Sequence, residues 1–223
     1  NNSISEFSDF ELIVGASSDA VLNYQWQVSD DCETWTDLNE SPALMITGVF
    51  ETKNRSYYGV ELYAVRDIEN LNQYGISTSN GTTGSSPQRS FNNTSLAAGQ
   101  YYILYGNSSW TNFFSDESNS SYKSQYMNEV YYMAYSDRHN IALYDATSGS
   151  WKKIDVVGDH SQTSSGSDWD VAEGWLYRKN GRGASTTYNA DDWNIKKNEF
   201  SLIGGTSTNG NDIVANGYPL FKF

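Results

Sequence analysis

Alternation of apolar and polar residues with a period of two runs through most of this chain. Leu22, Tyr24, Trp26 and Val28 are spaced by polar residues, Asp30-Asp31 marks a turn, and Thr34-Trp35-Thr36 begins a return, so a hairpin is predicted within residues 7–38. Val60, Leu62 and Ala64 alternate with Glu61, Tyr63 and Val65, and the polar stretch 67–72 turns the chain before a strand starting at Tyr74 and Ile76. After Ala98-Gly99, one strand face takes Tyr101, Ile103 and Tyr105 and the other takes Tyr102 and Leu104. Further strands are predicted at 130–135, at 140–144, in WKKIDVV and around Trp175 and Trp193. No apolar run reaches the roughly 18 residues of a membrane span, so no membrane-spanning segment is expected.

Three stretches break the alternation. Residues 77–94 are a loop of Ser, Thr, Gly, Asn and Pro with almost nothing to bury, expected to be mobile. Within 107–128, Trp110, Phe113, Phe114, Tyr122 and Tyr126 stand among Ser, Asn and Asp. Aromatics in that setting either pin the loop to the body or form a stacking surface for sugar rings or a partner protein. At the far end, Phe200, Leu202 and Ile203 suggest a short strand, and DIVANGYPLFKF an extended piece ending in Tyr218, Phe221 and Phe223. Such an apolar end needs a cover, supplied by the N-terminal hairpin or by a neighbouring chain to which it adds a strand.

Composition strengthens the β assignment. Tyr (17) and Trp (7) are abundant, and the polar remainder is rich in Ser, Thr, Asn and Gly, which favours short strands joined by polar loops over helices. A formal charge of −13 argues against a nucleic-acid partner, because that affinity comes from Lys and Arg releasing counterions from phosphates. Cys32 is the single cysteine, which rules out an intrachain disulfide. Several Asn-x-Ser/Thr triplets, few lysines and long Ser/Asn/Thr/Gly loops point to an extracellular, cell-surface or virion setting.

Catalytic chemistry finds little support in these residues. The only imidazole bases are His139 and His160, neither in the frame of a triad, and His160 reads as a solvent-exposed loop residue. Cys32 sits among acidic neighbours that disfavour a thiolate. Asp168, Asp170, Glu173, Asp191 and Asp192 cluster in sequence as a glycosidase pair would, and pairing or capping by Glu173 and Arg178 competes with that reading. No cofactor is expected. Calcium is the one ion for which the chain offers oxygen ligands, at Asp30 and Asp31 with Glu33 or at Asp168 and Asp170, against a simpler reading as solvated turn carboxylates.

Two resemblances organise these elements. YQWQVS and TWTDL, separated by an acidic turn, resemble the immunoglobulin-like repeats of bacterial extracellular proteins, with Trp26 as the core plug and the closing strands missing. VELYA, the 71–76 strand, SLAAGQYY, NIALYD, IDVVGD, EGWLYRK and DDWNI follow in the order in which lamin-tail domains present such strands, over about residues 46–195. That resemblance implies an immunoglobulin-like β-sandwich with Trp169, Trp175, Tyr177 and Trp193 in its core and Arg178 as a structural ion-pair partner. The expected organisation is a partial hairpin segment at 1–43, the sandwich at 44–195 and a C-terminal extension at 196–223. The expected role is a non-catalytic structural or adhesion module that assembles with itself or a partner protein. The competing roles are a carbohydrate-binding module using exposed aromatics and an accessory domain of a secreted hydrolase or nuclease.

Overall fold

The computed structural model describes residues 27–29, 33, 36–37, 42–51, 58–79, 83–105, 126–130, 140–161, 167–171, 174–197 and 217–223. The chain forms two compact units, Asn1–Glu40 and Ser41–Phe223. The first contains β1 (Gln27–Val28) paired antiparallel with β2 (Thr36–Asp37), the hairpin that the alternation predicts. The second unit takes in the 196–223 stretch that the sequence sets apart.

Within the second unit the described strands form two sheets. The six-stranded sheet is built from β3 (Leu44–Glu51), β4 (Tyr58–Ala64), β7 (Tyr101–Tyr105), β8 (Tyr126–Val130), β11 (Trp175–Arg178) and β12 (Trp193–Lys196), in the order β12-β11-β3-β4-β7-β8. The four-stranded sheet is built from β5 (Tyr74–Ser79), β6 (Arg89–Ser90), β9 (Asn140–Asp145) and β10 (Lys152–Val157), in the order β10-β9-β5-β6. Every pairing is antiparallel except β7 with β8, which run parallel with Tyr101 opposite Tyr126. Among the described residues there is no α-helix, only three-residue 3-10 turns at Leu71–Gln73 and Ala190–Asp192. The protein is an all-β sandwich.

The predicted alternation sets what lies between the sheets. Ile46, Val49, Val60, Leu62, Ala64, Tyr102, Leu104 and Leu176 of one sheet share a core with Tyr74, Ile76, Ile141, Leu143 and Val157 of the other. The 77–94 stretch departs from expectation. Phe91 is buried in that core, 5.7 Å from the Tyr102 ring, and the Gln88 amide N–H donates to Ser77 Oγ at 2.8 Å. One apolar anchor and a side-chain ladder fasten a segment that its composition alone marks as loose.

A register shift in β3 between Ile46 and Gly48 inserts a bulge against β4. It places Thr47 and Gly48 together on the outer face of the six-stranded sheet while Ile46 and Val49 both stay in the core.

Candidate functional site

Two places concentrate chemistry. The first is the outer face of the six-stranded sheet, where Thr47, Gly48, Glu61, Tyr63, Tyr101, Trp175 and Tyr177 are covered by Gly217–Phe223. Tyr218 seats over Gly48: a Cβ there would lie 1.8 Å from its hydroxyl oxygen. Its ring meets Phe50, Trp175 and Tyr177 edge-on at 5.1, 6.0 and 5.4 Å. Phe221 lies 4.8 Å from Tyr101, and Phe223 lies 5.4 Å from Tyr63. Polar bonds fix the segment as well. The Lys222 amide donates to Tyr177 Oη at 2.8 Å, Tyr101 Oη donates to the main-chain oxygen of Phe223 at 3.0 Å, and the Phe221 amide donates to Glu61 Oε2 at 3.3 Å.

Glu61 is the chemical centre of this clasp. It is fully buried, and Thr47 Oγ1 donates to its Oε1 at 2.8 Å. Burial pushes its carboxyl up from 4.5 to about 7, against the pull of Thr47, the Phe221 amide and the Tyr177 and Tyr218 hydroxyls. The phenols of Tyr101, Tyr177 and Tyr218 are all pushed upward, by burial first and by the Glu61 charge second. A sealed carboxyl under a peptide strap is poised to hold that strap.

Between the sheets lies an ion pair. Arg178 Nη2 donates to both oxygens of Asp155, at 2.8 and 2.7 Å, its Nε donates to Ile46 O at 2.7 Å and its Nη1 to Gly183 O at 2.6 Å. Asp155 also accepts from the amides of Ile46, Val156 and Ser185. The guanidinium stacks 4.3 Å from the Trp193 ring. Burial raises the Asp155 carboxyl above its ordinary value, opposed by the Arg178 charge and the Ser185 and Ile46 amides. With its hydrogen bonds made inside the protein, the pair is a structural tie across the sandwich.

The second place is an open groove of about 550 Å³ where the end of β10, the Asp168–Trp169 turn and the 186–190 stretch meet. Lys153, Asp159, His160, Asp168, Trp169 and Tyr188 supply most of its chemistry. Trp169 and Tyr188 meet edge-on at 5.2 Å. His160 is half-buried: its Nε2 faces Ile141 O at 3.1 Å and its Nδ1 faces Thr83 Oγ1 at 2.7 Å. A carbonyl only accepts, so Nε2 carries the proton and, in the neutral ring, Nδ1 accepts from the Thr83 hydroxyl. Burial, then the Lys153 charge, lowers the imidazole from its ordinary value, which favours that neutral form. Burial likewise lowers the Lys153 amine.

These placements revise the sequence expectations in several respects. Trp169, Trp193 and Arg178 are buried between the sheets, and the charged partner of Arg178 is Asp155. Trp175 and Tyr177 are buried too, but under the terminal segment, because in β11 only Leu176 and Arg178 point inward. Tyr218 and Phe221 are packed against their own sheet and are not free surface, and Phe223 is half-buried beside them. The segment is not extended: Phe221 has φ 55° and the Leu220 amide donates to Tyr218 O at 2.9 Å. His160 is a bonded groove wall and not a solvated loop residue. Asp168 is exposed and Asp170 half-buried, and among the described residues no three His, Cys, Asp or Glu side chains group as a metal site. Trp26, Asp30, Asp31, Trp110, Phe113, Phe114 and Tyr122 lie outside the described residues, as does the side chain of Tyr126, whose backbone opens β8. The groove was missed because its residues come from three separated stretches, with no spacing signal that joins them.

Comparison with protein-family models, with characterised proteins and with solved structures finds no match to this chain. The class that fold and site define is an acidic β-sandwich bearing a clasped terminal peptide.

Proposed function

We propose that this chain is a non-catalytic, surface-exposed structural and adhesion module that assembles with copies of itself by exchanging its C-terminal segment. The observation that carries this reading is the fit of Gly217–Phe223 into the outer face of the six-stranded sheet, with Tyr218 seated over Gly48 and main-chain bonds to Glu61, Tyr101 and Tyr177. A cleft matched to a segment of the same chain accepts that segment from a neighbour through the same contacts, so closed and exchanged forms differ mainly in the effective concentration that the tether provides. Exchange is therefore favoured where copies are crowded, as on a cell or virion surface. The extracellular setting rests on composition. The lamin-tail type of the sandwich rests on the order of its sequence motifs.

Complementation tests the exchange. A Gly48→Phe chain has a blocked cleft and a free segment, and a Tyr218→Ala/Phe221→Ala chain has an open cleft and a disabled segment. Mixed at high concentration, the two are expected to give a 1:1 complex by light scattering, while a chain carrying both sets of changes stays monomeric. Folding of each chain is checked by its thermal transition. If the mixture shows only monomers and the wild-type chain is also a strict monomer when concentrated, assembly by this route is excluded.

A further inference from the structure

We propose that the groove between the end of β10, the Asp168–Trp169 turn and the 186–190 stretch binds a neutral saccharide. The site is independent of the clasp. It lies at the β10 edge of the sandwich, and none of the clasp residues lines it.

Its size and lining favour this ligand class. About 550 Å³ of open groove is within the range of small-ligand sites. One flank is aromatic, with Tyr188 half-buried against the Trp169 edge, and offers a surface for the C–H face of a sugar ring. The other walls alternate acceptors and donors: the carboxylates of Asp159 and Asp168, the amine of Lys153, and the hydroxyls of Ser161, Thr186 and Thr187. A hydroxyl-rimmed ring satisfies both kinds, whereas an apolar ligand strands them. Two carboxylates against one amine disfavour an anion.

Several wall groups are held in place before any ligand arrives. Asp159 Oδ1 accepts from the Ser161 amide at 2.9 Å and from its hydroxyl at 2.6 Å. Ser185 Oγ donates to Thr187 O and accepts from the Thr187 amide. Asn189 Oδ1 accepts from the Asp191 amide at 3.0 Å. Preorganised walls reduce the ordering cost of binding.

Two polar atoms behind this lining are enclosed by the protein. Trp169 is 8% exposed, and its Nε1 has no hydrogen-bond partner among the described residues; the same holds for the hydroxyl of Tyr188. The indole nitrogen lies against Gly158, another wall residue, where a Cβ would come within 2.7 Å of it.

The test is a titration of the whole chain with cellobiose, maltose and N-acetylglucosamine in turn, following tryptophan indole N–H signals by NMR, with the Trp169 signal assigned from a Trp169→Phe variant. At least one of these sugars is expected to shift that signal saturably in the millimolar range. Tyr188→Ala is expected to weaken the binding at least tenfold. Because Tyr188 also packs against the cluster of Ala142, Tyr144 and Val156, the exposed Asp168→Ala serves as a second variant that leaves the core untouched, with a severalfold loss expected. No movement of the Trp169 signal with any of the sugars overturns the proposal. So does undiminished binding in the Asp168→Ala and Tyr188→Ala chains, or a response at Trp169 to calcium chloride alone.

Discussion

At Glu61 and Asp155 two buried carboxyls are treated in opposite ways. Asp155 has a guanidinium and three amides, so removing it leaves Arg178 charged and stranded at 2% exposure. Asp155→Ala is expected to cost about 3–5 kcal/mol in urea unfolding. Asp155→Leu with Arg178→Met should cost less than the single change, because no isolated charge is left, though the amides of Ile46 and Ser185 lose their acceptor. Among the described residues Glu61 meets hydroxyls and an amide with no cation, and its carboxyl is raised from 4.5 to about 7. The folded state therefore holds a proton that the unfolded chain releases. This contribution is fully present below pH 4.5 and is lost as pH rises through 7, a change of roughly 3 kcal/mol. Unfolding free energies measured from pH 4 to pH 8 should fall accordingly, and Glu61→Gln should flatten the fall and stabilise the protein at pH 8.

Among the elements, the bulge of β3 and the terminal segment depend on each other. The bulge brings Gly48 to the outer face, and the missing side chain of Gly48 makes the seat for Tyr218. Gly48→Ala should lift Tyr218 while leaving β3 paired. Its expected signature is faster hydrogen exchange and proteolysis within 217–223 with little change in the remainder of the sandwich. Tyr218→Ala removes a ring enclosed by Phe50, Trp175 and Tyr177 and is expected to cost about 3–5 kcal/mol by the same unfolding measurement, as a large aromatic truncation does. The β11 strand is a strand as expected, and Trp175 and Tyr177 are buried beneath the terminal segment. Period-two alternation says that Trp175 and Tyr177 share a face, but a strand with apolar residues on both faces does not say which partner covers each.

For the whole molecule, the division into Asn1–Glu40 and Ser41–Phe223 predicts that the chain 41–223 folds alone, because the sandwich core and the clasp both lie within it. Its thermal transition should match that of the chain 1–223. The sequence by itself determined the all-β class, the N-terminal hairpin and which residues of β4 and β7 share a face, since each rests on local alternation. It also marked Trp169, Trp193 and Arg178 as structural. Tertiary structure alone decided that Asp155 is the partner of Arg178, 23 residues away, that Glu61 is sealed by Phe221, 160 residues away, and that His160 walls a groove with Trp169 and Tyr188. The physical reason is the same in each case. Alternation reports which side of a strand a residue takes, whereas burial, charge pairing and a groove arise only when distant segments close over that side.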